Sequence, residues 1–186
     1  MLSAAYTIGL EWKRDTQLVL YRISGKSPLT ALVGKLLPQT LVFWLIYILY
    51  AVYFYRYLQY PCNSGIMAMI LVGMLTVLGA QGFAAFLFGV CGQMRLSMCL
   101  CSLWGILSFS LAGFTFPVTA MDTILQKLCV VFPLRHYYLL YVNQALNGYS
   151  IVYVWHSVLA LAIFALLPLL TLHHYRRLFI NVKYIP

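Results

Sequence analysis

The chain has 186 residues, 63% of them hydrophobic and only 8% charged, with a mean hydropathy of +0.89. A soluble domain carries about 25% charged residues, so this composition excludes a water-covered globule and points to a bilayer. The net charge of +9 sits in short segments between apolar runs, where it orients helices against anionic lipid. Basic stretches alternating with stacking aromatics are absent, so no nucleic-acid partner is expected.

Asp, Glu, Lys and Arg are missing from Leu36 to Tyr55, from Tyr57 to Met94, from Leu96 to Met121 and from His136 to Tyr175. Each run reaches the roughly 20 residues a helix needs to cross a bilayer. In lipid the backbone must satisfy its own hydrogen bonds, and the alternation of a membrane barrel is absent. The expected fold is all-α, a polytopic bundle.

In chain order, Met1 to Leu10 is too short to span and reads as the last turns of a helix begun earlier. The chain is then expected to be the C-terminal part of a longer protein, or a reading frame opened at an internal Met. Glu11 to Pro28 is the most charged stretch, with Glu11, Lys13, Arg14, Asp15, Arg22 and Lys26. Leu10, Trp12, Leu18, Val19, Tyr21 and Ile23 give it an apolar side, the pattern of an interfacial helix lying on the membrane. Ser24, Gly25, Ser27 and Pro28 end it. Glu11 and Asp15, four apart, share a face of such a helix.

The first complete span is expected at about 29–55, kinked by Pro38. Its far end carries an aromatic belt of Tyr47, Tyr50, Tyr53, Phe54, Tyr55, Tyr57 and Tyr60. The second, about 66–90, has small residues at helical spacing: Gly73, Thr76, Ala80 and Ala84 on one side, Gly82, Ala85 and Gly89 on another. These suit close helix packing. The turn "CGQMR" leads to a third span at about 96–116. The last runs at about 151–172, followed by a basic tail, 173–186.

Alternating the spans puts nine of the twelve lysines and arginines (Lys13, Arg14, Arg22, Lys26, Lys35, Arg95, Arg176, Arg177 and Lys183) on one side and Arg56, Lys127 and Arg135 on the other. Positive residues stay inside. The expected location is therefore the plasma (inner) membrane, multi-pass, with the N-terminal segment and tail cytoplasmic.

Between the third and last spans, Thr119 and Asp122 have capping-box spacing and predict a helix from about Ala120. Met121, Ile124, Leu125, Leu128 and Phe132 form one apolar face, and Pro133 stops it. Leu134 to Leu146 is a second segment ending at Asn147–Gly148, a good C-terminal cap. Together they read as an outer re-entrant helical hairpin at about 119–147, the alternative being an elaborate loop.

Sites of other chemistry do not form. The "GKS" at Gly25 lacks the earlier glycine of a phosphate loop, since that position is Leu20. His173 and His174 are adjacent and point apart, as do Cys99 and Cys101, so no metal site is expected. Three carboxylates in all make no acid–base pair. His156 is the only ionisable residue within a span, too few for an ion relay. Cys62 and Cys129 both fall outside, where a disulfide is open to them, although free apolar cysteines are the favoured reading.

Several of these stretches resemble the membrane subunit of ATP-binding-cassette exporters of the second type. That family shows a "G-F-x-F-P" break after its fifth span, an amphipathic helix, a "P-L-x-x-Y" step and a final span. Here the matching residues are Gly113, Phe114, Phe116 and Pro117, then Pro133, Leu134, Tyr137 and Tyr138. Glu11, Thr16, Gly34 and Lys35 match its acidic, threonine and Gly-Lys elements. Asp15 replaces a usual glycine, Lys13 a second acidic residue, and Ser24 stands near a common proline.

The resemblance implies a permease subunit that forms the transmembrane path and is driven by a separate nucleotide-binding ATPase. It implies a second permease subunit, identical or different, and no cofactor on this chain, with ATP-Mg in the partner. Residues 1–28 would hold the end of a truncated span and the coupling helix, and 29–186 the transmembrane domain. Glu11, Trp12, Arg14, Asp15, Thr16 and Leu18 would couple to the ATPase, Glu11 and Asp15 by charge and Trp12 and Leu18 as anchors. Pro117, Asp122, Pro133, Arg135, His136 and Tyr137 would shape an outer gate. The alternatives are a membrane-embedded lipid-modifying enzyme using His136 and Arg135, or a scaffold without transport.

Overall fold

The computed structural model describes residues 1–114, 117–149 and 151–181, with the side chains of 151, 180 and 181 excepted. Among them the helices are α1 (Leu2–Lys13), α2 (Gln17–Ile23), α3 (Pro28–Val52), α4 (Ile66–Cys91), α5 (Met94–Leu111), α6 (Thr123–Cys129), α7 (Pro133–Leu140), α8 (Trp155–Leu166) and α9 (Leu172–Asn181). α3 runs on into a π turn, Tyr53–Tyr57, and α7 into another, Tyr141–Leu146. A 3₁₀ segment, Leu167–Thr171, joins α8 to α9. No strand occurs among the described residues. The all-α polytopic bundle is borne out.

Four helical segments are long and apolar enough to cross a membrane: Pro28–Tyr57, Ile66–Cys91, Met94–Leu111 and Val152–Phe179. The third ends its helix at Leu111, and its expected end at Phe116 lies outside the described residues, as does Lys183. The last runs past 172 to Phe179, so most of the expected tail is helix. The reason is a missed periodicity. Tyr175, Leu178 and Phe179 recur at three and four residues and are all buried.

The expected interfacial helix over Glu11 to Pro28 is broken in two. α1 keeps Glu11, Trp12 and Lys13, and the chain then turns through Arg14 to Thr16, with Asp15 at φ 54. The Thr16 N–H donates to the Glu11 carbonyl at 3.0 Å, and the Thr16 hydroxyl donates to the Glu11 carboxylate. Such local bonds compete with helix continuation. Glu11 and Asp15 therefore do not share a helical face.

Between the third and last spans, Asp122 caps α6: its Oδ1 accepts from the Thr123 N–H at 2.8 Å. Thr119 lies in a short 3₁₀ turn, Val118–Ala120, so the helix starts later than expected. Asp is a better N-cap than Thr and takes the position. α7 starts on Pro133, whose missing N–H is tolerated at the first helical position.

α4 is the centre. It touches α1, α3, α5, α7, α8 and α9, and 44% of its most apolar 18 residues are buried within the protein, against 6% for the matching stretch of the first span. Its small residues do what their spacing suggests. A Cβ on Gly82 would lie 2.5 Å from the Phe164 carbonyl oxygen and 2.8 Å from Ala165 Cα; one on Gly79 would lie 3.2 Å from the Leu161 oxygen. These are backbone atoms, so α4 and α8 meet main chain to main chain. Gly92, at φ +66, closes α4 with its N–H on the Phe88 carbonyl at 2.9 Å and makes the tight turn into α5.

Gly82→Ala must push α8 away from α4. It is expected to cost about 1–3 kcal/mol and to lower the thermal midpoint measured in detergent. Gly105→Ala, with open space around it, is the matched control and should cause no loss.

Candidate functional site

The sequence-predicted residues fall into two groups at opposite ends of the bundle. At the first end, the Glu11 carboxylate accepts from the Lys35 ammonium on α3 and from the Thr16 hydroxyl. Burial alone would raise the Glu11 carboxyl, but the Lys35 ammonium and the Thr16 hydroxyl outweigh it and hold it below its ordinary value. One side chain thus ties together α1, the turn and α3. Glu11 faces inward, to Lys35.

Trp12 is buried rather than lying in the interface. Its ring packs 5.1 Å from Phe88 and 5.0 Å from Phe179, and its Nε1–H reaches the Leu178 carbonyl at 3.4 Å. Tyr21 of α2 stacks on Phe179 at 5.5 Å, and the Tyr175 hydroxyl donates to the Ala85 carbonyl at 2.6 Å. Tyr175, Leu178 and Phe179 are the residues that sequence reasoning missed here, although their i, i+3, i+4 stripe was the signal for them. Lys35 stood out in the sequence by its Gly-Lys element, but its pairing with Glu11, across a turn in the chain, did not.

What remains exposed at this end is a surface on the turn and α2. Arg14, Asp15 and Arg22 are exposed, and so are Leu18 (50%), Val19 (57%) and Ile23 (80%). The other side of α2, Gln17 and Tyr21, is buried.

At the second end, Arg135, His136 and Tyr137 follow one another on α7 and point to three different partners. Arg135 Nη1 donates to the Ala112 carbonyl at 3.0 Å, a cation on the C-terminal end of α5. Gly113, at φ +100, leaves room for it: a Cβ there would lie 2.8 Å from Arg135 Nη1. His136 is buried, with its Nε2–H donating to the Val130 carbonyl at 2.8 Å. Burial pushes its pKa down, and Arg135 adds to this against the Val130 bond. Tyr137 faces α3, its hydroxyl 3.5 Å from that of Tyr47.

Pro133 is buried at the start of α7, while Pro117 and Asp122 are exposed. The six gate residues therefore form no single cluster. An exposed Arg135–His136 pair, which the lipid-modifying reading needed, is not formed. The segment is held to the bundle by rings instead, Phe132 on Trp104 at 5.1 Å and Phe114 on Tyr138 at 4.4 Å. Ile124, Leu125 and Leu128 of α6 stay uncovered by protein. Cys62 and Cys129 are both free, and Cys129 Sγ lies 4.0 Å from Met121 Sδ.

Between the ends, α3, α4 and the last span line a groove of about 590 Å³. Its lining is aliphatic except at Thr40 and Gln81, where Thr40 Oγ1 lies 2.6 Å from Gln81 Oε1.

Four apolar spans packed through glycine, with a charged turn at one end, define an integral membrane protein of the polytopic helical class. Residues 1–172 match the ABC-2 family transporter protein family, and the chain belongs to that family. It is a membrane permease component of an ABC transporter, not a catalytic one. No curated protein and no solved structure matches the chain.

Lys35→Met leaves the Glu11 carboxylate without its cation and is expected to cost about 1–3 kcal/mol. Adding Glu11→Gln should recover more than half of it, read as a thermal double-mutant cycle in detergent. The native Glu11 pKa is depressed, so its contribution is whole above the ordinary value of 4.5 and is lost as pH falls below it. Glu11→Gln should flatten that part of the stability curve.

Proposed function

We propose that the chain is the permease of an ATP-driven exporter, paired with a second permease subunit and driven by a separate ATPase docked on the turn and α2. The observation that carries this reading is α2 itself. It is a short helix with one side seated in the core and the other exposing Leu18, Val19 and Ile23 between Arg14, Asp15 and Arg22. A water-facing helix gains nothing from three exposed aliphatics, whereas a partner's pocket rimmed with charge does.

In this reading Arg14, Asp15 and Leu18 contact the ATPase, while Glu11, Trp12 and Thr16 pass its movement inward. Thr16 and Glu11 connect the turn to Lys35 on α3, and Tyr21 connects α2 to Phe179 on α9. ATP and its magnesium stay in the partner. Closure of the ATPase pair shifts α2, and two permeases exchange inward-open and outward-open arrangements. The turn and α2 face the cytoplasm of the plasma membrane, and the α6–α7 hairpin dips into the outer leaflet and shapes the exit.

The test is co-purification from native membranes combined with flux in proteoliposomes. Wild type is expected to bring down a nucleotide-binding ATPase. Leu18→Glu with Ile23→Glu should reduce that recovery roughly tenfold, as loss of a central contact does. Glu11→Gln should keep the ATPase bound but lower ATP-dependent flux, because it cuts transmission and leaves the docking surface intact. No ATPase with wild type, or equal recovery with the α2 variant, overturns the reading.

A further inference from the structure

A second cavity, about 470 Å³, opens at the end of the bundle away from α2. Its size falls within the roughly 300–1,000 Å³ of small-molecule sites. Seven of its eight lining residues are aromatic, six tyrosines and Phe54, and the eighth is Ala51. Four of the tyrosines, Tyr47, Tyr55, Tyr137 and Tyr141, are half-buried and form its inner wall, whereas Tyr50 (60% exposed) and Tyr60 (52%) stand at its mouth.

An interface belt would account for aromatics pointing outward, and Tyr53 and Tyr57, 51% and 76% exposed, do that. It does not account for the inward four. They come from two distant parts of the chain, and both parts change helical pitch at the cavity. After α3 the Leu58 N–H bonds to the Tyr53 carbonyl at 3.1 Å; after α7 the Asn147 N–H bonds to the Val142 carbonyl at 3.1 Å. Such i→i+5 turns are rare and recur at functional sites. The wall is also fixed in place. The Tyr47 hydroxyl donates to the Met69 carbonyl at 3.0 Å, and its ring sits over Gly73, where any Cβ would overlap it.

No carboxylate lines the cavity: the chain has three, Glu11, Asp15 and Asp122, and none is among the lining residues. Arg56, exposed on the same π turn, does not line it either. What the cavity offers is ring faces, and their negative quadrupole attracts a cation whose charge is spread and easily desolvated. A sugar would have only tyrosine hydroxyls to order its own, and those of Tyr47 and Tyr137 are already engaged. We propose that this cavity binds an organic cation of the quaternary ammonium class, held by Tyr50, Tyr55, Tyr141 and their neighbours. The same trimethylammonium group can arrive free from solution or as the headgroup of a lipid.

Binding needs no ATPase, so its readout is independent of coupling. The chain is purified in maltoside, which has no ammonium group. Benzyltrimethylammonium and its uncharged tert-butyl isostere are then titrated by calorimetry. The cation should bind at least roughly tenfold more tightly than the isostere. Tyr141→Leu and Tyr50→Leu should each weaken it roughly three- to tenfold, and Tyr141→Phe should not. Tyr50 is largely exposed, so its variant reports binding even if Tyr141→Leu misfolds. Choline-headgroup lipid added against glycerol-headgroup lipid identifies the source. Competition by the first alone names a lipid headgroup, and no competition by either names a soluble cation. Equal binding of the isostere, or indifference to both leucine variants, overturns the site.

Discussion

The structure depends on how closely α4 approaches α8. In lipid no hydrophobic force drives helices together, because the tails are as apolar as leucine. What remains is dispersion at short range, which falls away steeply with a gap of even half an ångström. Gly79 and Gly82 allow main-chain atoms of Leu161, Phe164 and Ala165 to come into contact, and Gly89 seats Thr171 and Tyr175 about two turns further on. α4 then holds the other helices around it. This explains why the first span can be left almost wholly to the lipid: it needs only one side on α4.

Where the bundle must be specific rather than merely close, it uses polar and aromatic groups. The Glu11 carboxylate joins three segments with two hydrogen bonds, one from nearby Thr16 and one from Lys35 on α3. Beside it, Trp12, Tyr21, Phe88, Tyr175 and Phe179 form one ring cluster whose polar atoms at Trp12 and Tyr175 reach main-chain carbonyls. Tyr and Trp supply area together with a directed bond, so the packing of α1, α2 and α9 has one register instead of a sliding choice.

The spans were legible because charge-free runs of that length permit little else, and the small-residue faces of α4 could be read as packing surfaces. The ends were harder. Glu11 to Pro28 has the composition of one amphipathic helix, yet a threonine hydroxyl five residues from a glutamate breaks it; composition does not register a bond of that kind. Trp12 was read as an interface anchor because tryptophan prefers that depth, and only the arrival of α9 buries it. The α9 stripe was present in the sequence but masked by four basic or histidine residues between its apolar positions. The aromatic belt was seen as a belt because an α-helical wheel cannot anticipate two π turns that turn part of it inward.

α3 connects the two ends. Lys35 and Tyr55 are about 30 Å apart along it, at 1.5 Å per residue. Between them Pro38 lacks an N–H for the Gly34 carbonyl, and its ring crowds that carbonyl, so this is where a bend is cheapest. Gly34 has open space around it, which leaves the bend room. Immediately beyond, Thr40 is held by Gln81 on the central helix, and further along Tyr47 is held by Met69 and Gly73. The proline thus separates a short segment, tied to Glu11 and seated by Ala31 and Leu32 among Ala85, Phe88 and Phe179, from a long one tied to α4 by Thr40 and Tyr47. Under the proposed coupling, a pull on Lys35 moves the first two turns of α3 together with that buried cluster, and Pro38 is where the helix bends to allow it. Before it reaches the aromatic cavity the movement meets the Thr40–Gln81 hydrogen bond and then the seat of Tyr47 on Met69 and Gly73. These ties to α4, and not the stiffness of α3 alone, set how far the two ends of the molecule are linked.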